Sequence, residues 1–224
     1  METLIAEDLL LLLLDDESGR STFAGSDRGM ALAGALLSEL ALTELVRFRD
    51  TPPGWTRILS PGWNTAEVTR VHGAVSDDPL LSRALSAIDD NPRKPSELIV
   101  PMGRWTTDAL LERLHQKGLI QPVEVKVLGV FPRTRWRAAD RTREAEIRER
   151  IHAALVLGET PDHRTSALIA LLSAIDQAQY CAAGGGLTHT DIQRRAAEIR
   201  AGDRVAETVK SLVEMSDDDR IPPP

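Results

Sequence analysis

The sequence predicts a mainly α-helical protein, and three observations carry that prediction. Residues 29–42 (GMALAGALLSELAL) are apolar on every side except at Ser38 and Glu39, the pattern of a helix buried at the centre of a bundle. Apolar residues recur at helical spacing further on, at 81/84/85/88, 110/111/114 and 168/171/172/175. Strand-like pieces are short, and only one pair of them, after Gly118, has the pattern of a hairpin.

Taken in order, Thr3 is placed to cap a first helix carrying the acidic-leucine block of residues 7–14 (EDLLLLLL), and residues 15–19 (DDESG) read as a turn. The six leucines fall far short of the roughly twenty apolar residues a spanning helix needs. Glu2, Glu7 and Asp8 stand where a signal peptide would be basic. The second helix is expected over 30–46. Short β-like pieces follow at 45–49, 55–59 and 68–72, separated by turns at 52–54 and 60–62. Asp78-Pro79 places a capping residue before a proline at the first helical position. Pro101 is expected to break whatever helix starts near Ser96, so the next helix is placed over 106–117 and ends at Gly118.

The hairpin is placed at 119–131, with its turn at 122–124. A helix over 140–157 carries Glu144–Arg148 and Glu146–Arg150 at i,i+4 spacing. Thr160-Pro161 should cap a long apolar helix that Gly184 to Gly186 ends. Thr188-x-x-Asp191 resembles a capping box for a helix ending near Gly202, and a last helix runs to about Met215. Residues 1–215 are thus expected to form a single domain, and 216–224 a disordered tail.

Composition limits function. A chain of 224 residues buries a core without staples, and a lone Cys181 rules out an internal disulfide framework. With no targeting segment visible, the cytoplasm is the expected compartment. A net charge of −7 argues against bulk electrostatic binding to nucleic acid or anionic membrane. One local basic patch exists: Arg133, Arg135, Arg137, Arg141 and Arg143, opposed within that stretch only by Asp140. The five histidines (72, 115, 152, 163, 189) and Cys181 show no metal-ligand spacing. No nucleophile elbow, P-loop or dinucleotide fingerprint is present. Neither an enzyme nor a cofactor is expected.

What remains is a binding module. Arg104-Trp105, at a helix start, offers a bidentate phosphate contact beside an amphipathic ring. In residues 131–137 (FPRTRWR) arginines interleave with aromatics, which suits phosphates. A helix ending at Gly118 and followed by a hairpin also fits a winged-helix DNA binder. Against that, the helix carries Asp108 and Glu112 and offers only Arg113 and Lys117 as cations, too few for a recognition helix. Nucleic acid is therefore the weakest of the expected partners.

The chain resembles the Golgi phosphoprotein 3-like family in its bacterial form. The matching blocks are residues 7–14 with the acidic-Gly turn, 32–34 leading to 39–42 (LAG, ELAL), 77–81 (DDPLL), 112–120 (ERLHQKGLI), 127–133 (VLGVFPR), and 161–165 (PDHRT) before 167–172 (ALIALL). Their shared order spans about 170 residues; residues 46–74 fit poorly. The resemblance implies a single-domain helical bundle wrapped by amphipathic helices, with a projecting β-hairpin. It also implies a non-enzymatic peripheral membrane protein that binds a phosphoinositide-type head group, phosphatidylinositol 4-phosphate in eukaryotic members, and the cytosolic tails of membrane proteins. Of the family's head-group Trp and three Arg, only the one at Arg104 is retained; Ala24, Ala33 and Thr107 occupy the other positions.

The expected head-group residues are Arg104, with Arg28, Trp105, Arg133 and Arg135 as possible compensators. The alternative expectation is a partner-binding scaffold that has lost the lipid pocket. It would form homo-oligomers through the hairpin residues Val125, Val127, Leu128, Val130 and Phe131.

Overall fold

The computed structural model describes residues 3–14, 25–50, 66–127, 131–139, 141–182 and 186–218. The chain is mainly α, as the sequence predicts, with nine α-helices and two two-stranded antiparallel ribbons among the described residues. The expected turn at 15–19, the β-like piece at 55–59, Ala24, Leu128, Val130 and residues 219–224 lie outside them.

Helix α1 (Ile5–Leu13) is buried along its whole length. Thr3 does not cap it. Leu4 takes that position, and the Leu4 N–H donates to Glu7 Oε2 at 2.9 Å. Helix α2 (Gly25–Leu42) starts five residues earlier than expected and ends four earlier. It is the central helix: Ala31, Leu32, Ala33, Ala35, Leu36, Leu37 and Leu40 are all fully buried. Strands β1 (Val46–Asp50) and β2 (Ala66–Arg70) pair antiparallel, Val46 opposite Arg70. Helix α3 (Pro79–Ser86) opens as expected: Asp78 Oδ1 accepts from the Leu80 and Leu81 N–H groups.

Helix α4 (Pro95–Gln116) corrects the reading of Pro101, which sits inside an unbroken helix. Proline removes the bond to the Glu97 carbonyl. Position 101 faces solvent, however, where water can satisfy that carbonyl, while Leu98, Ile99 and Met102 are buried to within 1 % and hold the helix to the core. The true start is at Pro95, another proline at a first helical position.

The hairpin is longer than expected and turns later. Strand β3 (Ile120–Val127) pairs with β4 (Phe131–Ala138), with Ile120 opposite Ala138 and Val127 opposite Phe131. Pro122 lies within β3, opposite Trp136, instead of in the turn. A two-stranded ribbon is all edge, so a proline lacking its N–H is tolerated there.

Helix α5 (Thr142–His152) continues as a π-helical turn at Ala153–Leu157 and stops at left-handed Gly158. Arg195 donates to the Leu155 and Val156 carbonyls that this turn leaves over. Helix α6 (His163–Ala174) is capped by Asp162, whose carboxylate accepts from the Thr165 N–H, not by Thr160. After the short α7 (Ala178–Cys181), Thr188 and Asp191 form the expected box opening α8 (His189–Arg200). Helix α9 (Arg204–Asp218) runs three residues into the expected tail. Helix α2 packs against α1, α3, α4, α6 and α9. None of the described helices is long and apolar enough to cross a membrane.

Candidate functional site

The site begins where the first turn of α2 crosses the middle of α4. The contact is glycine on glycine. A Cβ on Gly29 would stand 2.4 Å from the Gly103 carbonyl oxygen, and one on Gly103 would stand 3.0 Å from the Gly29 carbonyl carbon. Both atoms belong to backbone, so neither position accepts a side chain without moving a helix. Each glycine has an arginine for a neighbour, Arg28 on α2 and Arg104 on α4. The close approach of the backbones therefore leaves an arginine next in sequence to the contact on each helix.

Arg28 is half-buried, and its Nε has no hydrogen-bond partner. An unmet buried donor of this kind costs about 1–3 kcal/mol. Burial pulls the Arg28 guanidinium below its ordinary pKa, and the Asp108 carboxylate opposes that pull. Asp108 comes one helical turn after Arg104 on α4, which puts the two on one face. Both are exposed. Arg104 makes no hydrogen bond or ion pair with another of the described residues.

Of the other expected head-group residues, Trp105 and Arg135, whose side chains are described, do not join this crossing. Trp105 packs against the core, with the Arg83 guanidinium 4.0 Å from its ring centroid, so that face of the ring is already occupied. Ala33 is fully buried in the centre of the bundle. Thr107 is half-buried on α4. Arg135 lies opposite Val123 in the hairpin, half-buried, with an interaction of its own. The neighbouring Trp136 meets the His115 ring edge-on at 5.5 Å. That end of the hairpin is thus at residue 115 of α4, about 16 Å of helix rise from residue 104. Arg133 is in β4 opposite Val125, and its side chain lies outside the described residues, as do those of Val125, Val127 and Phe131.

A second charged set went unrecognised in the sequence: carboxylates buried among the leucines. Glu7 accepts from Arg113 at 3.2 Å and Lys117 at 2.6 Å. Asp8 takes Arg143 in a forked contact at 2.7 Å, with Arg150 at 3.6 Å. Glu39 takes Arg164 at 2.5 Å and the Ile5 N–H at 2.8 Å, and Arg164 also donates to the Thr3 carbonyl. Arg113 forks onto Asp78 as well, at 2.6 and 2.9 Å. Burial pushes the Asp8 carboxyl above its usual range, with Arg143 only partly offsetting it. Burial also pushes at Asp78, but the Arg113 bonds and the Leu81 and Leu80 N–H groups outweigh it and hold that carboxyl low. The available signal was an acid pair inside an otherwise apolar run, which only cations from distant segments can satisfy.

Nothing among the described residues gathers three or more metal-ligating side chains. Cys181 is buried, and burial pushes its thiol up to about 11. Two shallow grooves, of about 280 and 330 Å³, lie away from the crossing, one beside Tyr180 and Cys181 and the other beside Ser38 and Asp203. Size alone would favour them. The crossing has an arginine on each helix, and one of them, Arg28, keeps a buried Nε with no partner.

No curated protein matches the chain. The model of the Golgi phosphoprotein 3 (GPP34) family matches residues 5–216, nearly its whole length. With these helices, this hairpin and that match in agreement, the chain belongs to the Golgi phosphoprotein 3 family.

Proposed function

We propose that this protein is a non-enzymatic peripheral membrane protein of the cytoplasm that binds anionic phospholipid head groups at the Arg28–Arg104 crossing. The observation that carries the reading is an arginine on each helix next to the Gly29–Gly103 contact, Arg28 with an unmet buried donor and Arg104 exposed. A phosphate oxygen between them supplies the missing acceptor, and each charge-assisted bond contributes roughly 1.5–3 kcal/mol. Arg28 thereby does the work of the arginine that resemblance places at Ala33. The inert Cys181 and the guanidinium-held carboxylates support a binding role over a catalytic one.

Co-sedimentation tests it. Vesicles containing anionic phospholipid should retain the protein, and pure phosphatidylcholine should not. Arg28→Ala and Arg104→Ala should each weaken retention about tenfold or more. Equal retention by both vesicle types, or indifference to both substitutions, removes the reading.

One observation favours a second reading. The β3–β4 ribbon has eight residues per strand and no further strand beside it among the described residues. Such edges pair readily, which suits a scaffold that self-associates through the hairpin. Ile120 and Ala138 are cross-strand partners, so residues 121–137 can be replaced by a short linker. If the hairpin mediates self-association, light scattering should give that variant fewer chains per particle than the full chain. An unchanged number of chains per particle rules the scaffold out.

A further inference from the structure

The groove of about 330 Å³ beside Ser38 and Asp203 has no part in the lipid reading. Four segments border it: the C-terminal end of α2, strand β1, the first turn of α6 and the start of α9. Its apolar lining includes Leu42, Phe48 and Val205. Its polar lining has three oxygens that the protein leaves unpaired. Ser38 is only 5 % exposed, and its Oγ has no hydrogen-bond partner. Asp203 Oδ1 accepts from the Val205 and Ala206 N–H groups, whereas Oδ2 has no partner among the described residues. The half-buried Ser166 hydroxyl likewise bonds to none of them.

Buried hydroxyls are ordinarily paired, so the bare Ser38 Oγ marks a missing partner. Burial raises the Asp203 carboxyl above its usual range, with Glu207 adding to the push and the Ala206 and Val205 N–H groups opposing it. That carboxylate is short of donors. A carboxylate only accepts, and a hydroxyl can accept. Three such oxygens in one groove match a group with three donors, which is the primary ammonium. Its charge suits Asp203, and the C-terminal end of α2 adds partial negative charge. An anion fits worse: the first turns of α6 and α9 would attract one, but Asp162 and Asp203 already cap them. His163 and Arg204 also border the groove, the first exposed and the second with an interaction of its own. The Arg204 charge, next to Asp203 in the chain, is set against a second cation on the ligand.

We propose that this groove is a binding site for a small primary monoamine, whose ammonium bonds to Ser38, Ser166 and Asp203 while its apolar body lies along Leu42, Phe48 and Val205. A volume of about 330 Å³ stands at the lower end of small-molecule pockets, which sets the ligand at the size of a short alkyl or aryl amine. The site is independent of the Gly29–Gly103 crossing and of lipid.

NMR titration of the isotope-labelled full chain tests it, with hexylamine, 1-hexanol and 1,6-diaminohexane as probes. Hexylamine should shift the amide signals of residues 38–42, 166 and 203–205 saturably. Hexanol lacks the charge and should bind about tenfold more weakly or worse, and the diamine should also bind more weakly than hexylamine. Asp203→Asn keeps an oxygen for the helix cap and removes the charge. It should cut hexylamine affinity about tenfold and leave hexanol affinity nearly unchanged. Ser38→Ala should weaken hexylamine binding yet raise the melting temperature, because it removes a hydroxyl that the folded protein leaves unpaired. Hexanol binding as tightly as hexylamine, wild-type amine affinity in Asp203→Asn, or no saturable shift at these residues overturns the proposal. Equal binding of the diamine overturns the restriction to monoamines. A capped lysine that binds more tightly than hexylamine would give the groove to a protein side chain, and the small-amine assignment would fall.

Discussion

Asp78 shows how much one side chain carries in this protein. One of its oxygens caps α3 through two backbone N–H groups, and both accept from Arg113. Its folded pKa lies below the unfolded value. The stability it contributes is therefore full above about pH 4 and lost as pH falls through the depressed folded value. Asp78→Ala should destabilise by about 2–3 kcal/mol at neutral pH, combining a lost cap with a lost charge-assisted pair. Melting curves of wild type and variant should converge as pH drops below about 4; a gap that stays constant into acid would contradict the assignment. The opposite sign holds at Asp8, whose carboxyl is raised by burial. Its ionised form costs stability as pH rises from about 4 through the raised folded value. Glycine gives a second comparison at this scale. At Gly34 the obstacle to a Cβ is the Val209 side chain at 2.6 Å, whereas at Gly29 it is backbone at 2.4 Å. Alanine gains about 1 kcal/mol of helix propensity at either site. Gly34→Ala must still displace the stiff, fully buried Val209 side chain, and Gly29→Ala should cost about 2–3 kcal/mol more than Gly34→Ala, since a whole helix must move. Thermal unfolding of the two variants decides it, and equal losses would show that the crossing yields.

Among the elements, the fully apolar α2, the cap at Asp78 and the box at Thr188 were legible from local pattern, because the chemistry that sets them lies within a few residues. Pro101 misled because a proline's effect on a helix depends on where its face points, and that is decided by packing. Pro122 misled for a related reason, since only tertiary context shows that its strand is all edge. The candidate site was half legible. Arg104 came from resemblance and Arg28 only as a compensator for what the resemblance lacks, and that both flank one crossing depends on Gly29 and Gly103, 74 positions apart (103 minus 29). Periodicity carries no information on which glycines of two helices will touch.

For the whole molecule, charge and site point in opposite directions. A net charge of −7 repels an anionic surface over the Debye length, about 30 Å at 0.01 M salt and about 10 Å at 0.1 M. The contact at Arg28 and Arg104 acts only at bonding distance. Vesicle binding should therefore strengthen as salt rises from about 0.01 to 0.1 M, because screening removes the repulsion first. A steep monotonic fall over that range would point to adsorption through the arginines of the hairpin. The buried carboxylates of α1 and α2 bear on a different matter, the making of the chain. Helix α1 is synthesised before α4, α5 and α6, yet its acids await Arg113, Lys117 and Arg143, and the Thr3 carbonyl just before it awaits Arg164, 161 positions on. At about 5–20 residues per second that is a wait on the order of ten to thirty seconds. Throughout it, six adjacent leucines stand exposed at the head of an unfinished polypeptide. A nascent chain halted before residue 164 should be a strong chaperone client, and one that extends through α9 should not.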